Sequence, residues 1–297
     1  MARVPTSPSR RPSSSNSRSS RAARSGRPSC RRSTSVSLTD LAGLRALAVD
    51  VAERAAAIQR EGRTRALEIS EKTAAGDLVT DVDREAERVI VETILAARPD
   101  DGVLGEEGAA REGSTGVRWV VDPVDGTASY VRGYPGYCVS IGVEVDGANV
   151  VGVVVDARGV RTEGVVGQGA WRGDQPVVPS RRTELGSCVF ATGFGYDPDE
   201  RVRQAEVVGY LLPRIADIRR SGSAAFDLVA SACGEVDGYF EVGLNPWDLA
   251  AGQAIMRAAG GVCESIPQTG DRRLIVSMPS QLYDPMLALL GQAGLRV

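Results

Sequence analysis

The chain of 297 residues contains no histidine. Without an imidazole there is no Ser-His-Asp hydrolysis, no phosphohistidine intermediate and no His-containing zinc site. Any catalysis has to rest on carboxylates, hydroxyls and bound metal. The five cysteines, Cys30, Cys138, Cys188, Cys233 and Cys263, form no Cys-x-x-Cys pair and no framework spacing, so they read as small buried residues of a reducing compartment. None is followed six residues later by arginine, which argues against a cysteine-based phosphate-loop phosphatase. No apolar run approaches the length of a membrane span, and with 42% hydrophobic residues the chain is expected to be soluble. Lysine is nearly missing as well. Lys72 is the only one against 34 arginines, a bias that reads as the imprint of a GC-rich genome.

Acids are absent from residues 1–37, which hold nine arginines among serines and prolines. Such a segment cannot bury enough apolar surface to offset its ordering entropy and is expected to be disordered. It can be a transit peptide, a weak phosphate-binding arm or the product of a misassigned start, with translation beginning near Val36. The remaining residues carry 26 Lys+Arg against 38 Asp+Glu. They are long enough for one large catalytic domain, 38–297, in two halves of about 38–180 and 181–297.

Within that domain the periodicities alternate. Leu41, Leu44, Ala48, Val51, Ala55 and Ile58 predict an amphipathic helix over 40–60. Residues 62–75 read as a loop or hairpin carrying Lys72. Asp83 reads either as the N-cap of a helix running to Pro99 or as a functional acid. Val103–Glu107 is a short strand ending in two acids. Cys138–Val145, Asn149–Asp156 and Val160–Val166 predict an antiparallel meander with turns at Asp146-Gly147 and Arg158-Gly159. Strands are expected at 189–194 and 237–241, with helices over 199–213, after Gly222, and from Asn245 to Gly260-Gly261. The last of these helices is apolar almost all round and therefore central. Asp248 lies in its first turn, where a buried carboxylate needs a partner, either a metal or a capped amide.

The densest signal is Trp119-Val120-Val121-Asp122-Pro123-Val124-Asp125-Gly126-Thr127-Ala128-Ser129-Tyr130. An apolar strand delivers two carboxylates three residues apart, a pair suited to a hard cation such as Mg²⁺. The amides of Gly126, Thr127 and Ala128, at a helix start, suit a phosphate. A solvated Asp-Pro turn is the alternative for this stretch taken alone.

Asp83, then Gly-Glu-Glu at 105–107, then Trp-x-x-Asp-Pro-x-Asp-Gly-Thr, then Trp247-Asp248 seven residues after Glu241, together resemble the inositol monophosphatase family of Mg²⁺-dependent phosphomonoesterases. The resemblance covers about 38–297. The haloacid-dehalogenase signature does not fit, because Asp122 and Asp125 are one residue too far apart for its Asp-x-Asp. The resemblance implies a layered α/β fold, an α-β-α-β-α sandwich with mixed sheets. It implies that Glu106, Asp122, the Val124 carbonyl, Asp125 and Asp248 hold two or three Mg²⁺, and that Glu106 counts among the catalytic residues. Asp83 and Thr127 would orient the water that attacks phosphorus, Gly126, Thr127 and Ala128 would cradle the phosphate, and the Ala224 backbone and Glu241 would meet the substrate alcohol. Ala128-Ser129-Tyr130 and Arg132 depart from the usual family residues, and these bear on substrate fit.

The implied activity is hydrolysis of a small phosphorylated polyol, inositol 1-phosphate foremost, with fructose-1,6-bisphosphatase, nucleotide 3′-phosphatase and histidinol-phosphatase activities as alternatives. A regulatory nucleic-acid-binding protein using the basic tail is the non-enzymatic alternative. The expected setting is the bacterial cytoplasm, as a homodimer, without membrane or nucleic-acid partners.

Overall fold

The computed structural model describes residues 38–72 and 76–297. The tail expectation for 1–37 lies outside the described residues. The first helix, α1 (Leu38–Gly62), precedes a hairpin, β1 (Ile69–Glu71) and β2 (Leu78–Thr80), and a second helix, α2 (Asp81–Ala97). Eight strands follow with one short helix among them: β3 (Gly102–Gly105), β4 (Ala110–Arg111), β5 (Val117–Asp125), α3 (Thr127–Arg132), β6 (Cys138–Val145), β7 (Ala148–Asp156), β8 (Arg161–Val165), β9 (Gly169–Arg172) and β10 (Gln175–Pro176). The remainder is β11 (Val189–Thr192), α4 (Pro198–Leu211), β12 (Asp217–Arg219), α5 (Ala224–Ala232), β13 (Gly238–Val242), α6 (Pro246–Ala258), β14 (Val262–Pro267), β15 (Arg273–Met278) and α7 (Ser280–Gln292).

The larger sheet has the order β10-β9-β8-β7-β6-β5-β3-β4, antiparallel except for the parallel β3–β5 pair. The smaller has the order β12-β11-β13-β15-β14, with β11 parallel to both neighbours. Three apolar cores separate the layers. Valines 151, 153 and 155 of β7 point under α1 and α2, while Val154 points to the opposite side with α5 and α6. The third core joins the far face of the smaller sheet to α4 and α7. The stack is therefore helices, sheet, helices, sheet, helices, the sandwich implied by the resemblance. No described helix is long and apolar enough to cross a membrane.

Two local devices position the site. Residues three apart on a regular strand face opposite sides, because the side-chain period is two. In β5, Asp122 pairs with Ser140 and Asp125 with Cys138, so three steps on one strand match two on the other. The extra residue is a bulge at Pro123-Val124, where proline has no N–H to withdraw from the ladder, and it restores the parity that brings both carboxylates to one side. The strand thus runs through Asp125 and ends directly before the Gly126 turn.

The second device is a row of glycines in register, Gly142 on β6, Gly152 on β7 and Gly164 on β8. A Cβ at Gly142 would lie 2.5 Å from Ala250 Cβ, one at Gly152 would collide with the Ala251 carbonyl, and one at Gly164 would lie 2.8 Å from Ile255 Cα. The bare sheet lets α6 lie flat against it, with its N-terminus aimed at the end of β5.

Candidate metal centre

A cavity of about 850 Å³ opens where the ends of β5 and β13 meet the starts of α3, α5 and α6. Asp122, Asp125 and Asp248 line it, and one carboxylate oxygen from each lies within 4.8 Å of the others. Each carboxylate is held by amides or a hydroxyl. Asp122 Oδ1 accepts the Val124 N–H (3.0 Å), and Asp248 Oδ2 accepts the Asn245 N–H (2.8 Å). Asp125 Oδ2 accepts Ser223 Oγ (2.7 Å) and the Ala225 N–H (2.6 Å). Asp248 is thus the third residue of a capping box on α6, and its capped amide and its place in the cluster coexist.

None of the three ion-pairs with a cation among the described residues. Burial, reinforced by the mutual repulsion of the acids and by Glu106, holds Asp122 and Asp248 well above the usual carboxylate range. Burial likewise pushes Asp125 up to about 7, against the pull of Ser223 and Ala225. A carboxyl whose folded pKa exceeds its unfolded value near 4 binds more protons in the native state, so stability falls as pH rises between the two. The metal-free protein is therefore expected to melt highest near pH 5 and progressively lower toward pH 8. Saturating Mg²⁺ should flatten that slope, which thermal melts in chelator and in Mg²⁺ would check.

Glu106 lines the same cavity but falls outside the three-carboxylate group. Its Oε1 accepts Lys72 Nζ (2.8 Å), which also reaches Glu107 Oε1 (2.5 Å). Burial works against the ammonium, but the two glutamates outweigh it and hold its pKa up. Lys72 follows β1 of the expected hairpin.

Asp83 is not the N-cap of α2. Thr80 holds that position, and Asp83 is the third helical residue of a capping box, accepting the Thr80 N–H (2.9 Å) and Thr80 Oγ1 on Oδ2. Its other oxygen accepts Thr127 Oγ1 (2.8 Å). One buried carboxylate therefore caps a helix and fixes a hydroxyl at the cavity. Thr127 Oγ1 also lies 3.0 Å from the Val124 carbonyl. With its single hydrogen engaged by these acceptors, the hydroxyl offers lone pairs to the cavity.

Gly126 adopts a left-handed conformation (φ 93°), and a Cβ there would lie 2.6 Å from the Gly136 carbonyl and 3.1 Å from that of Gly222. Glycine thus permits both the turn and the close approach of the 221–223 loop. Gly126, Thr127 and Ala128 line the cavity at the start of α3, where a helix leaves its first amides without internal acceptors. Ala224 and Glu241 form the opposite wall. Glu241 accepts the Tyr239 hydroxyl, and burial pushes its carboxyl up to about 7.

Sequence reasoning missed Ser223, whose hydroxyl joins Asp125 to the amide of Phe226 and so ties the second sheet's helix to the first sheet's strand. The signal was a serine directly before a helical run in Arg-Ser-Gly-Ser-Ala-Ala.

The sequence profile of the inositol monophosphatase family matches residues 40–293. The inositol-1-monophosphatase SuhB of Mycobacterium tuberculosis is 38% identical over 272 residues, which cover 84% of this chain and 93% of that one. The Nus factor SuhB of Escherichia coli is 40% identical over 200 residues, covering 66% and 74%. The crystal structure of the extragenic suppressor protein suhB from Bartonella henselae superposes with a TM-score of 0.78 at 31% identity, covering 84% of this chain and 98% of that one.

Proposed function

The chain belongs to the inositol monophosphatase family, and on that premise we propose that it hydrolyses a small phosphorylated polyol, inositol 1-phosphate foremost, with Mg²⁺. The observation that carries this reading is the group of Asp122 and Asp125, buried, with the half-buried Asp248, three carboxylates brought together without a protein cation among the described residues. Their oxygens, with the Val124 carbonyl and Glu106 at the same cavity, fit a hard divalent ion, and such a donor set would hold Mg²⁺. When bound, the metal supplies a lowered water pKa and charge stabilisation of the leaving oxygen.

The chain's own groups do the rest. The amides at 126–128 face a phosphate with their partial positive charge. Thr127, its hydrogen engaged, can only accept a hydrogen bond from a water beside it, and Asp83 locks it in that orientation. A water held this way presents its lone pair away from Thr127, toward phosphorus. Glu241 and the Ala224 backbone, both lining the cavity, would meet the polyol hydroxyls.

A panel of about twenty phosphomonoesters, assayed for phosphate release in Mg²⁺ and in excess chelator, tests the reading. Release is expected only with Mg²⁺, with inositol 1-phosphate among the best substrates. Full turnover in chelator would overturn it. A second reading, kept because the E. coli relative is named a Nus factor and not a phosphatase, is a regulatory nucleic-acid-binding protein using the basic tail. Absence of phosphate release from a folded chain, with salt-sensitive nucleic-acid retention lost on deleting 1–37, would favour that one.

A further inference from the structure

The bulge in β5 leaves two residues, Pro123 and Val124, between the paired positions Asp122–Ser140 and Asp125–Cys138. Their peptide groups have to find partners outside the ladder, because a buried backbone polar group left unpaired is costly. The Val124 N–H donates to Asp122 Oδ1 (3.0 Å), and the Val124 carbonyl lies 3.0 Å from Thr127 Oγ1. The Pro123 carbonyl is met from outside the sheet. It accepts the side-chain amide of Gln59, in the last turn of α1, with Nε2 at 2.7 Å. Gln59 is 2% exposed, so this amide is committed to the interior. The end of α1 also holds α3. Tyr130 Oη donates to the Gln59 main-chain carbonyl (2.8 Å), and Arg63 Nη1 donates to the Tyr130 carbonyl (2.6 Å) with its guanidinium over the ring. Gly62 permits the approach, since a Cβ there would lie 2.5 Å from the Tyr130 hydroxyl and 2.4 Å from Val82 Cγ2.

The peptide linking Pro123 to Val124 is planar, so its carbonyl and its N–H point in opposite directions. Gln59 grips one end of that plane and Asp122 the other. Fixing the carbonyl therefore fixes the N–H, and the N–H sets how the Asp122 carboxylate is turned. Without the Gln59 amide, a buried carbonyl would be left to turn toward some other donor, taking the N–H with it. We propose that Gln59 is a positioning residue of the metal centre, holding the Pro123–Val124 peptide in the orientation that presents Asp122, and Asp125 beyond the bulge, to one cation. Gln59 is not part of the cavity wall and acts only through the strand. Groups that orient a ligating carboxylate in this way govern metal affinity, typically by ~10–100-fold. This rests on the metal-dependent reading above and adds how its centre is held.

The test compares Gln59→Met, which keeps the length of the side chain and loses its amide, with Val51→Ala, which thins the buried face of the same helix about two turns earlier. Binding of Mn²⁺ to the substrate-free proteins is followed by electron paramagnetic resonance, and Mg²⁺ half-saturation and substrate KM by phosphate release. Gln59→Met is expected to bind Mn²⁺ roughly tenfold more weakly and to need roughly tenfold more Mg²⁺ for half-saturation. Its KM at saturating Mg²⁺ should stay within about twofold of wild type, since the main-chain tie to Tyr130 is kept. Val51→Ala should melt lower yet keep wild-type Mn²⁺ affinity, because lost packing alone does not turn the peptide. If Gln59→Met does not fold, Gln59→Asn, whose amide is one methylene shorter, is expected to show the same weakening. Wild-type Mn²⁺ affinity in the folded Gln59 variant, or an equal loss in Val51→Ala, overturns the inference while leaving the metal centre standing. A wild-type protein that binds no Mn²⁺ and releases no phosphate refutes the metal-dependent reading itself, and the inference falls with it.

Discussion

Replacing Asp125 by Asn is expected to cut Mg²⁺-dependent turnover by about three orders of magnitude, on the order of 4 kcal/mol, while raising the melting temperature of the metal-free protein. The two effects have one cause. Asp125 sits buried against Asp122 and Asp248, and its carboxyl is pushed up to about 7, so near pH 8 the ionised form strains the metal-free fold. An amide can keep its oxygen toward Ser223 and Ala225, which donate to Oδ2 at 2.7 and 2.6 Å, and turn its NH₂ toward the remaining carboxylates. That exchanges repulsion for hydrogen bonds and should stabilise the metal-free protein by roughly 1–3 kcal/mol, a gain of several degrees in a chain of this size. The same change removes a charge from the metal centre, so half-saturation by Mg²⁺ should move to much higher concentration. Melts in chelator paired with a Mg²⁺ titration of activity read both. A variant less stable in chelator than the wild type would mean that the cluster is not electrostatically strained.

Asp83→Asn is expected to lower kcat roughly a hundred- to a thousandfold, about 3–4 kcal/mol, with half-saturation by Mg²⁺ unchanged. Asp83 serves Thr80 with one oxygen and Thr127 with the other. An amide has a single oxygen, so it must either break the cap of α2 or turn Thr127 round. Thr80→Ala separates the two roles. It removes the cap, at a cost of about 1 kcal/mol in stability, and should leave kcat near wild type. Thr127→Ala should resemble Asp83→Asn, and the double variant should be little worse than either single one, because both disable the same hydroxyl. If Asp83→Asn loses stability but keeps its kcat, the residue is a cap and nothing more.

Local pattern predicted the parts of this chain that short-range physics decides. The β6–β8 meander was legible because its valines run between turn residues whose left-handed backbone, Asp146 (φ 50°) and Gly147 (φ 84°), is a hairpin signature. The central helix α6 was legible from its all-round apolarity. The identity of the acids was legible too, but their convergence was not. Asp122 and Asp125 are out of phase on an ideal strand, and only a bulge, visible through the pairing of β5 with β6, brings them together. The glycine row that seats α6 is equally invisible locally, since Gly142, Gly152 and Gly164 become neighbours only once three strands are in register.

Beyond Gly261 the pattern weakened. Strand β14 ends in a proline, β15 is a nearly continuous apolar run, and α7 contains Pro285, so neither a period of two nor one of 3.6 stands out. The N-cap of α2 lies three residues before Asp83, at Thr80, which closes the apolar strand β2, where a capping threonine is hard to tell from a strand residue.

The account depends on a divalent cation sitting among Asp122, Asp125 and Asp248. Anomalous diffraction from crystals grown with Mn²⁺ in place of Mg²⁺ tests this directly. A peak within ligand distance, about 2.0–2.3 Å, of an oxygen from each of the three carboxylates is expected, and it should weaken or vanish in Asp125→Asn. Full Mn²⁺ occupancy elsewhere, with no peak among these three side chains, would contradict it.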